Sequence, residues 1–320
     1  MFTVIIPLYN KAHTIERTLL SVFNQSFQEF EIVIINDGST DNGIQVINDS
    51  FQDKRIKIFN QYNQGVSVAR NQGVLNAKFD YLAFLDGDDE WAENYLETMR
   101  FAFIKYPDAG MICAAGIIKH TNGERADRLA KKYENQILEV NFFENPHVFS
   151  HTSAIVVKKN VFEKVKGFPV GMRNNEDFAF SYAAGLISKV VYCGFKISFY
   201  NGGVDFQSTQ INKGNRDAEN DVIHRFNHTF KFWNETKREN SLYLVFLKYE
   251  LRHKIITAIK SNNYETIKLL LIKLDDGILS LFNRFELKMY VSIPNKKITI
   301  LYIYFTKVIW RLRGFPYVGQ

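Results

Sequence analysis

Three apolar runs, Thr3-Val4-Ile5-Ile6, Phe30-Glu31-Ile32-Val33-Ile34-Ile35 and Tyr81-Leu82-Ala83-Phe84-Leu85, each end abruptly in polar residues, and each precedes a stretch of helical periodicity. They are short, rich in β-branched and aromatic residues, and read as buried strands. Helical patterns over 14–25 and 66–77 and a brief strand at Lys57-Ile58-Phe59 complete the alternation. This order predicts an α/β fold with a mostly parallel sheet covered on both faces. In such sheets ligands gather at the carboxyl ends of the strands. The polar clusters Pro7-Leu8-Tyr9-Asn10, Asp37-Gly38-Ser39 and Asp86-Gly87-Asp88 all follow strands and are expected to converge there.

The run Asp86-Gly87-Asp88-Asp89 sets three carboxylates within four residues. Charges so close repel one another, and a divalent cation such as Mg²⁺ or Mn²⁺, bound by hard oxygen ligands, would reconcile them. The other reading is an acidic surface turn. Asp37-Gly38-Ser39-Thr40-Asp41 likewise reads as a turn that caps the next helix, with Asp37 pointing outward to a ligand.

At 320 residues, 46% apolar and 15% aromatic, the chain suits a globular enzyme of one large domain or a domain with an appendage. Cys113 and Cys193 lie in apolar contexts without metal-ligand spacing, and both are expected as buried thiols in a reducing compartment. The chain opens on a strand rather than a basic leader, which predicts a cytoplasmic location. Charge is uneven: residues 1–210 carry 21 basic and 24 acidic groups, residues 211–320 carry 19 and 10. An anionic partner surface is expected in the C-terminal third.

Val4-Ile5-Ile6-Pro7-Leu8-Tyr9-Asn10, Ile34-Ile35-Asn36-Asp37-Gly38-Ser39-Thr40-Asp41, Asn63-Gln64-Gly65-Val66-Ser67-Val68-Ala69-Arg70-Asn71 and Phe84-Leu85-Asp86-Gly87-Asp88-Asp89 follow one another in order. Together they resemble the successive signatures of family 2 glycosyltransferases over residues 2–210. The resemblance implies the GT-A fold, Rossmann-like with helices flanking a mostly parallel sheet. It also implies a nucleotide-sugar donor, a divalent metal and inversion at the anomeric carbon.

Carried over, the resemblance places Pro7, Tyr9 and Glu16 around the nucleotide and Asp37 on its base or ribose. Arg70 falls near the diphosphate or sugar, where its fixed fork matches phosphate oxygens, or else pairs only with an acid of the site. Gly65 allows close backbone approach at the turn. Asp86 and Asp88 form the Asp-x-Asp element: Asp88 is the expected metal ligand, Asp86 lies nearer the ribose, and Asp89 is a supporting neighbour. Asn174-Asn175-Glu176-Asp177-Phe178 matches the second acidic site, with Asp177 as the base that takes the acceptor proton and Glu176 as its orienting neighbour. The alternative is that both acids only cap a helix over 179–187. The His and Ser that often follow in the family are replaced here by Asn201, Gln207, Ser208 and Thr209. The processive members' Gln-x-x-Arg-Trp element is missing, so one sugar per encounter is expected.

Residues 91–106 read as an amphipathic helix, 111–119 as a strand, 121–137 as a solvated polar excursion, 151–157 as a strand, and 190–192 and 196–200 as two closing strands. The catalytic domain is expected over 1–215. Residues 216–320 read as a basic helical appendage with helices over 221–233, 241–261 and 264–283. Residues 294–315 carry Lys296, Lys297, Lys307, Arg311, Arg313 and Trp310 without one acid. They suit either contact with anionic membrane headgroups, which would make the protein peripheral on the inner face of the membrane, or a packed helix or edge strand with snorkelling lysines. No nucleic-acid motif accompanies the charge. The expected activity is a metal-dependent inverting transfer of hexose or N-acetylhexosamine, UDP-linked, onto a glycan or lipid-linked saccharide in cell-surface polysaccharide synthesis. A catalytically silent saccharide- or partner-binding module on the same fold is the alternative.

Overall fold

The computed structural model describes residues 1–120, 123–126, 132–149, 151–202, 216–236, 241–292 and 296–312. Its strands are β1 (Phe2–Leu8), β2 (Phe30–Asp37), β3 (Ile56–Gln61), β4 (Tyr81–Phe84), β5 (Glu90–Trp91), β6 (Ala109–His120), β7 (Gly123–Ala126), β8 (Ile137–Val140), β9 (Ile155–Lys158) and β10 (Lys189–Asn201). They form one sheet in the order β3-β2-β1-β4-β9-β6-β10-β5, with β7 on β6 and β8 on β10. β3, β2, β1, β4, β6 and β10 share one direction, and the remaining strands oppose them. The central strands are buried almost throughout, as expected for a sheet covered on both faces.

The helices are α1 (Ile15–Phe23), α2 (Gly43–Ser50), α3 (Val66–Leu75), α4 (Tyr95–Lys105), α5 (Pro146–Phe149), α6 (Lys159–Lys164), α7 (Glu176–Ile187), α8 (Arg216–Glu235), α9 (Ser241–Lys260), α10 (Tyr264–Lys273), α11 (Asp276–Leu279), α12 (Arg284–Ser292) and α13 (Lys296–Leu312). Several boundaries differ from expectation. Glu90 and Trp91 pair with Phe199 and Ser198 of β10, so the helix expected from 91 begins at Tyr95. Part of the excursion at 121–137 folds back as β7 and begins β8. Residues 152–154 form a single turn of 3₁₀ helix before β9. The two closing strands are one long strand whose register shifts between Cys193 and Lys196. The helix expected over 264–283 breaks at Leu274, which is extended, and Asp275 recaps it by accepting from the Gly277 N–H at 2.8 Å. Cys113 and Cys193 are both buried free thiols, and burial raises the proton affinity of each.

The C-terminal helices do not form a separate core. One apolar cluster joins Ile5, Phe84 and Phe180 of the α/β region to Phe226, Tyr243, Phe246 and Ile303 of the helices. The boundary expected at 215 adjoins residues outside the described ones.

Helix α3 lies directly on β1, and Gly73 permits the contact. A Cβ there would fall 2.4 Å from Ile5 Cγ2, a stiff methyl of a core strand. Alanine gains about 1 kcal/mol in helix propensity, but overpacking of this kind costs about 1–3 kcal/mol. Gly73→Ala is therefore expected to lower the melting temperature, and a rise in that temperature would show that the helix can move aside.

Candidate active site

At the carboxyl end of β1 the chain turns through Asn10, whose backbone is left-handed at φ 53°. Its Oδ1 accepts from the Thr40 N–H at 2.8 Å, and Asp41 Oδ2 accepts from the Ala12 N–H at 2.8 Å. The loops after β1 and β2 are thereby laced together. Asp37 turns inward: Oδ1 accepts from Gln61 Nε2 at 2.7 Å and the Gln64 N–H at 2.8 Å, Oδ2 from the Gly65 N–H at 2.9 Å. It holds the segment that opens α3 and also lines the cavity.

Arg70, buried on α3, joins the two acidic motifs. Its Nη2 lies 2.7 Å from Asp86 Oδ1, its Nη1 3.0 Å from Glu176 Oε1, and Phe168 packs under the guanidinium 5.0 Å away. Burial works against its charge, but Asp86 and Glu176 outweigh burial and strengthen its hold on the proton. Arg70 thus pairs with two acids of the site and also lines the cavity. Asn71 alongside fixes the turn before the second motif: its side chain donates to the Phe168 carbonyl and accepts from the Phe168 N–H, both at 2.9 Å. Gly167 in that turn has φ 74°, and a Cβ there would meet Asn71 Oδ1 at 2.6 Å.

Asp88 Oδ2 lies 2.7 Å from Lys11 Nζ. Asp89 is wholly buried, accepting from Ser153 Oγ at 2.5 Å and the Asn201 N–H at 3.1 Å. Burial, then the charges of Asp88 and Asp86, push its carboxyl well above the usual range. Asn201 donates to the Asp88 carbonyl at 2.8 Å, so it braces the loop from behind. Gln207, Ser208 and Thr209 lie outside the described residues. Glu176 and Asp177 begin α7, as the capping alternative has it, and both also line the cavity. Burial, then the neighbouring Asp177 charge, raise Glu176 from its ordinary 4.5 to about 7 against the pull of Arg70. Burial raises half-buried Asp177 as well, opposed by the Phe178 N–H and Arg70.

These groups share one cavity of about 880 Å³ lined by Pro7, Tyr9, Lys11, Asp37, Arg70, Asp86, Asp88, Glu176 and Asp177, among others. That is within the size of small-ligand clefts. Glu16 is not among them: it accepts from Ser50 Oγ at 3.0 Å on the outer side of α1. Four contributors went unassigned from sequence. Lys11 adjoins the first motif, His151 lines the cavity, and Asp221 and Arg225 lie one turn apart on α8. Asp221 Oδ2 accepts from the N–H groups of Arg173 at 3.1 Å and Asn174 at 2.9 Å, holding the loop that presents the second motif. Arg225 pairs with Glu250 at 2.7 Å and packs against Phe178 and Tyr182 of α7. Only the i, i+4 spacing of an acid and a base on a helix hinted at the last two.

Residues 3–166 match the glycosyl transferase family 2 profile, half of the chain. The chain belongs to glycosyl transferase family 2. An uncharacterized glycosyltransferase of Nostoc is 30% identical over 62% of this chain and 63% of its own length. The Escherichia coli UDP-Glc:alpha-D-GlcNAc-diphosphoundecaprenol beta-1,3-glucosyltransferase WfgD is 38% identical over 33% of this chain and 42% of its own. The chain spans from 15% to 63% of the length of the curated relatives it matches. TarS 1–349 of S. aureus, solved with UDP-GlcNAc, superposes with a TM-score of 0.60 at 17% identity over all of this chain and 93% of that one. The likeness establishes the GT-A fold for this family 2 member.

The Glu176 shift has a sign that can be checked. A carboxyl raised to about 7 favours folding while protonated, so that stabilisation is complete below its ordinary 4.5 and is lost as the pH rises through 7. Glu176→Gln stays neutral throughout. Its stability relative to the unsubstituted chain is expected to improve by on the order of 1–3 kcal/mol between about pH 5 and about pH 8 in urea unfolding. A difference that does not change with pH would contradict the assignment.

Proposed function

We propose that this protein moves one sugar, a hexose or N-acetylhexosamine, from a UDP-linked donor to a glycan or lipid-linked saccharide acceptor, inverting the anomeric carbon. The observation that carries this reading is the placement of Asp177, half-buried and with raised proton affinity, in the same cavity as Asp86 and Asp88. In the proposed reaction Asp177 takes the proton of the acceptor hydroxyl as its oxygen attacks the anomeric carbon. The bond to the diphosphate breaks on the opposite face, and UDP leaves. Tyr9, 41% exposed, and Pro7 offer the nucleotide a surface to pack on. Asp37, which lines the same cavity, meets the base or ribose while holding the 63–65 turn.

Among the described residues no three His, Cys, Asp or Glu form a ready-made metal cage. Asp86 and Asp88 nevertheless fit Mg²⁺ or Mn²⁺, which are commonly held by one or two carboxylates with the remaining positions filled by substrate phosphates and water. Such an ion would neutralise charge on the departing diphosphate. Arg70 and Lys11 hold the two carboxylates at the cavity wall by fixed ion pairs. The TarS structures with UDP-GlcNAc and UDP, and the UDP-Glc in the name of WfgD, support a uridine nucleotide. The diphosphoundecaprenol in that name supports a lipid-linked acceptor.

Asp177→Asn is expected to reduce transfer by about 10²–10⁴-fold while UDP binding persists. In the unsubstituted enzyme, transfer should fall as the pH is lowered through the raised range of Asp177, because a base must be unprotonated. Near-normal transfer by folded Asp177→Asn would overturn this role.

A further inference from the structure

Helix α13 carries a face that the proposed chemistry does not use. It packs inward through Thr299 and Ile303, which are buried, while Ile298, Leu301, Phe305, Val308 and Leu312 are each more than half exposed. Their spacing alternates three and four residues, so they form one stripe along the outer side of the helix. Phe285 of α12, also exposed, lies 6.4 Å from the ring of Tyr302 and extends the patch sideways.

The charge of the segment selects the occupant. Lys296, Lys297, Lys307 and Arg311 all fall within the helix, with no acid, in a region carrying 19 basic against 10 acidic residues; Lys296 and Lys307 reach back to Asn262 and His253, and Lys297 is exposed beside the stripe. Pairing with a second copy would bring like charges together, which opposes association. An apolar stripe on a cationic helix is the pattern of a helix lying in the plane of a bilayer surface. No helix among the described residues is long and apolar enough to cross a membrane. We propose that α13 rests its stripe in the interface of a membrane bearing anionic headgroups, with exposed Lys297 at its edge meeting the headgroup charge.

The test is co-sedimentation of the full chain with vesicles of phosphatidylcholine alone or mixed with phosphatidylglycerol. It uses no donor, so its outcome is independent of the transfer reaction. Binding to the anionic vesicles should be at least about 10-fold tighter than to the neutral ones and should weaken with salt. The double variant Leu301→Gln/Phe305→Gln should lose about 10-fold or more of that binding at unchanged melting temperature, since both side chains are exposed. The proposal is overturned if anionic vesicles are not bound, if neutral vesicles are bound equally, or if the double variant binds undiminished. It is also overturned if the unsubstituted chain is a dimer that the double variant converts to monomer, because a second copy then covers the stripe.

Discussion

The site depends on one buried cation. Arg70 reaches from the middle of α3 to Asp86 on one side and Glu176 on the other, and so fixes the distance between the motif after β4 and the motif that opens α7. Removing one partner of a buried ion pair typically costs about 3–5 kcal/mol, because the other charge is left unpaired. Arg70 therefore holds the two motifs together as long as both acids are present. The same pairing separates the roles of the adjacent acids in our account: Glu176 is engaged by Arg70, whereas Asp177 faces the cavity.

A second layer of contacts keeps these groups in place. Asp89, Ser153 and Asn201 tie the Asp-x-Asp loop to the far strands of the sheet. Asp221 and Arg225 tie the second motif to α8. The C-terminal helices are thus part of the scaffold of the second acidic motif, and a truncation before α8 would remove its support. Their outer surface, along α13, exposes an apolar stripe to other contacts.

Much of this was legible in the sequence. Short β-branched runs ending in polar residues located the strands and the edge of the sheet where the cavity lies, because strand burial and the loop chemistry at strand ends are local properties. The acidic motifs could be named for the same reason. The pairing of Arg70 with Glu176 joins residues 106 positions apart, and no local pattern encodes which of several acids a buried arginine meets. Asp37 shows the same limit: a strand-end carboxylate can serve a ligand, the next turn or both, and its contacts with the backbone N–H groups of Gln64 and Gly65 become visible only in three dimensions. Trp91 was assigned to a helix because its apolar neighbours fit that period, but pairing of its segment with β10 prevailed.

The central claim, that the Asp86 and Asp88 end of the cavity receives a uridine diphosphate together with a divalent ion, is tested most directly by calorimetric titration of UDP into the purified protein. The titration is run with and without Mn²⁺ and repeated on Asp88→Ala. The account predicts binding that requires the metal and is lost in the variant. Binding of equal strength without metal or in Asp88→Ala, or no binding of UDP at all, would contradict it.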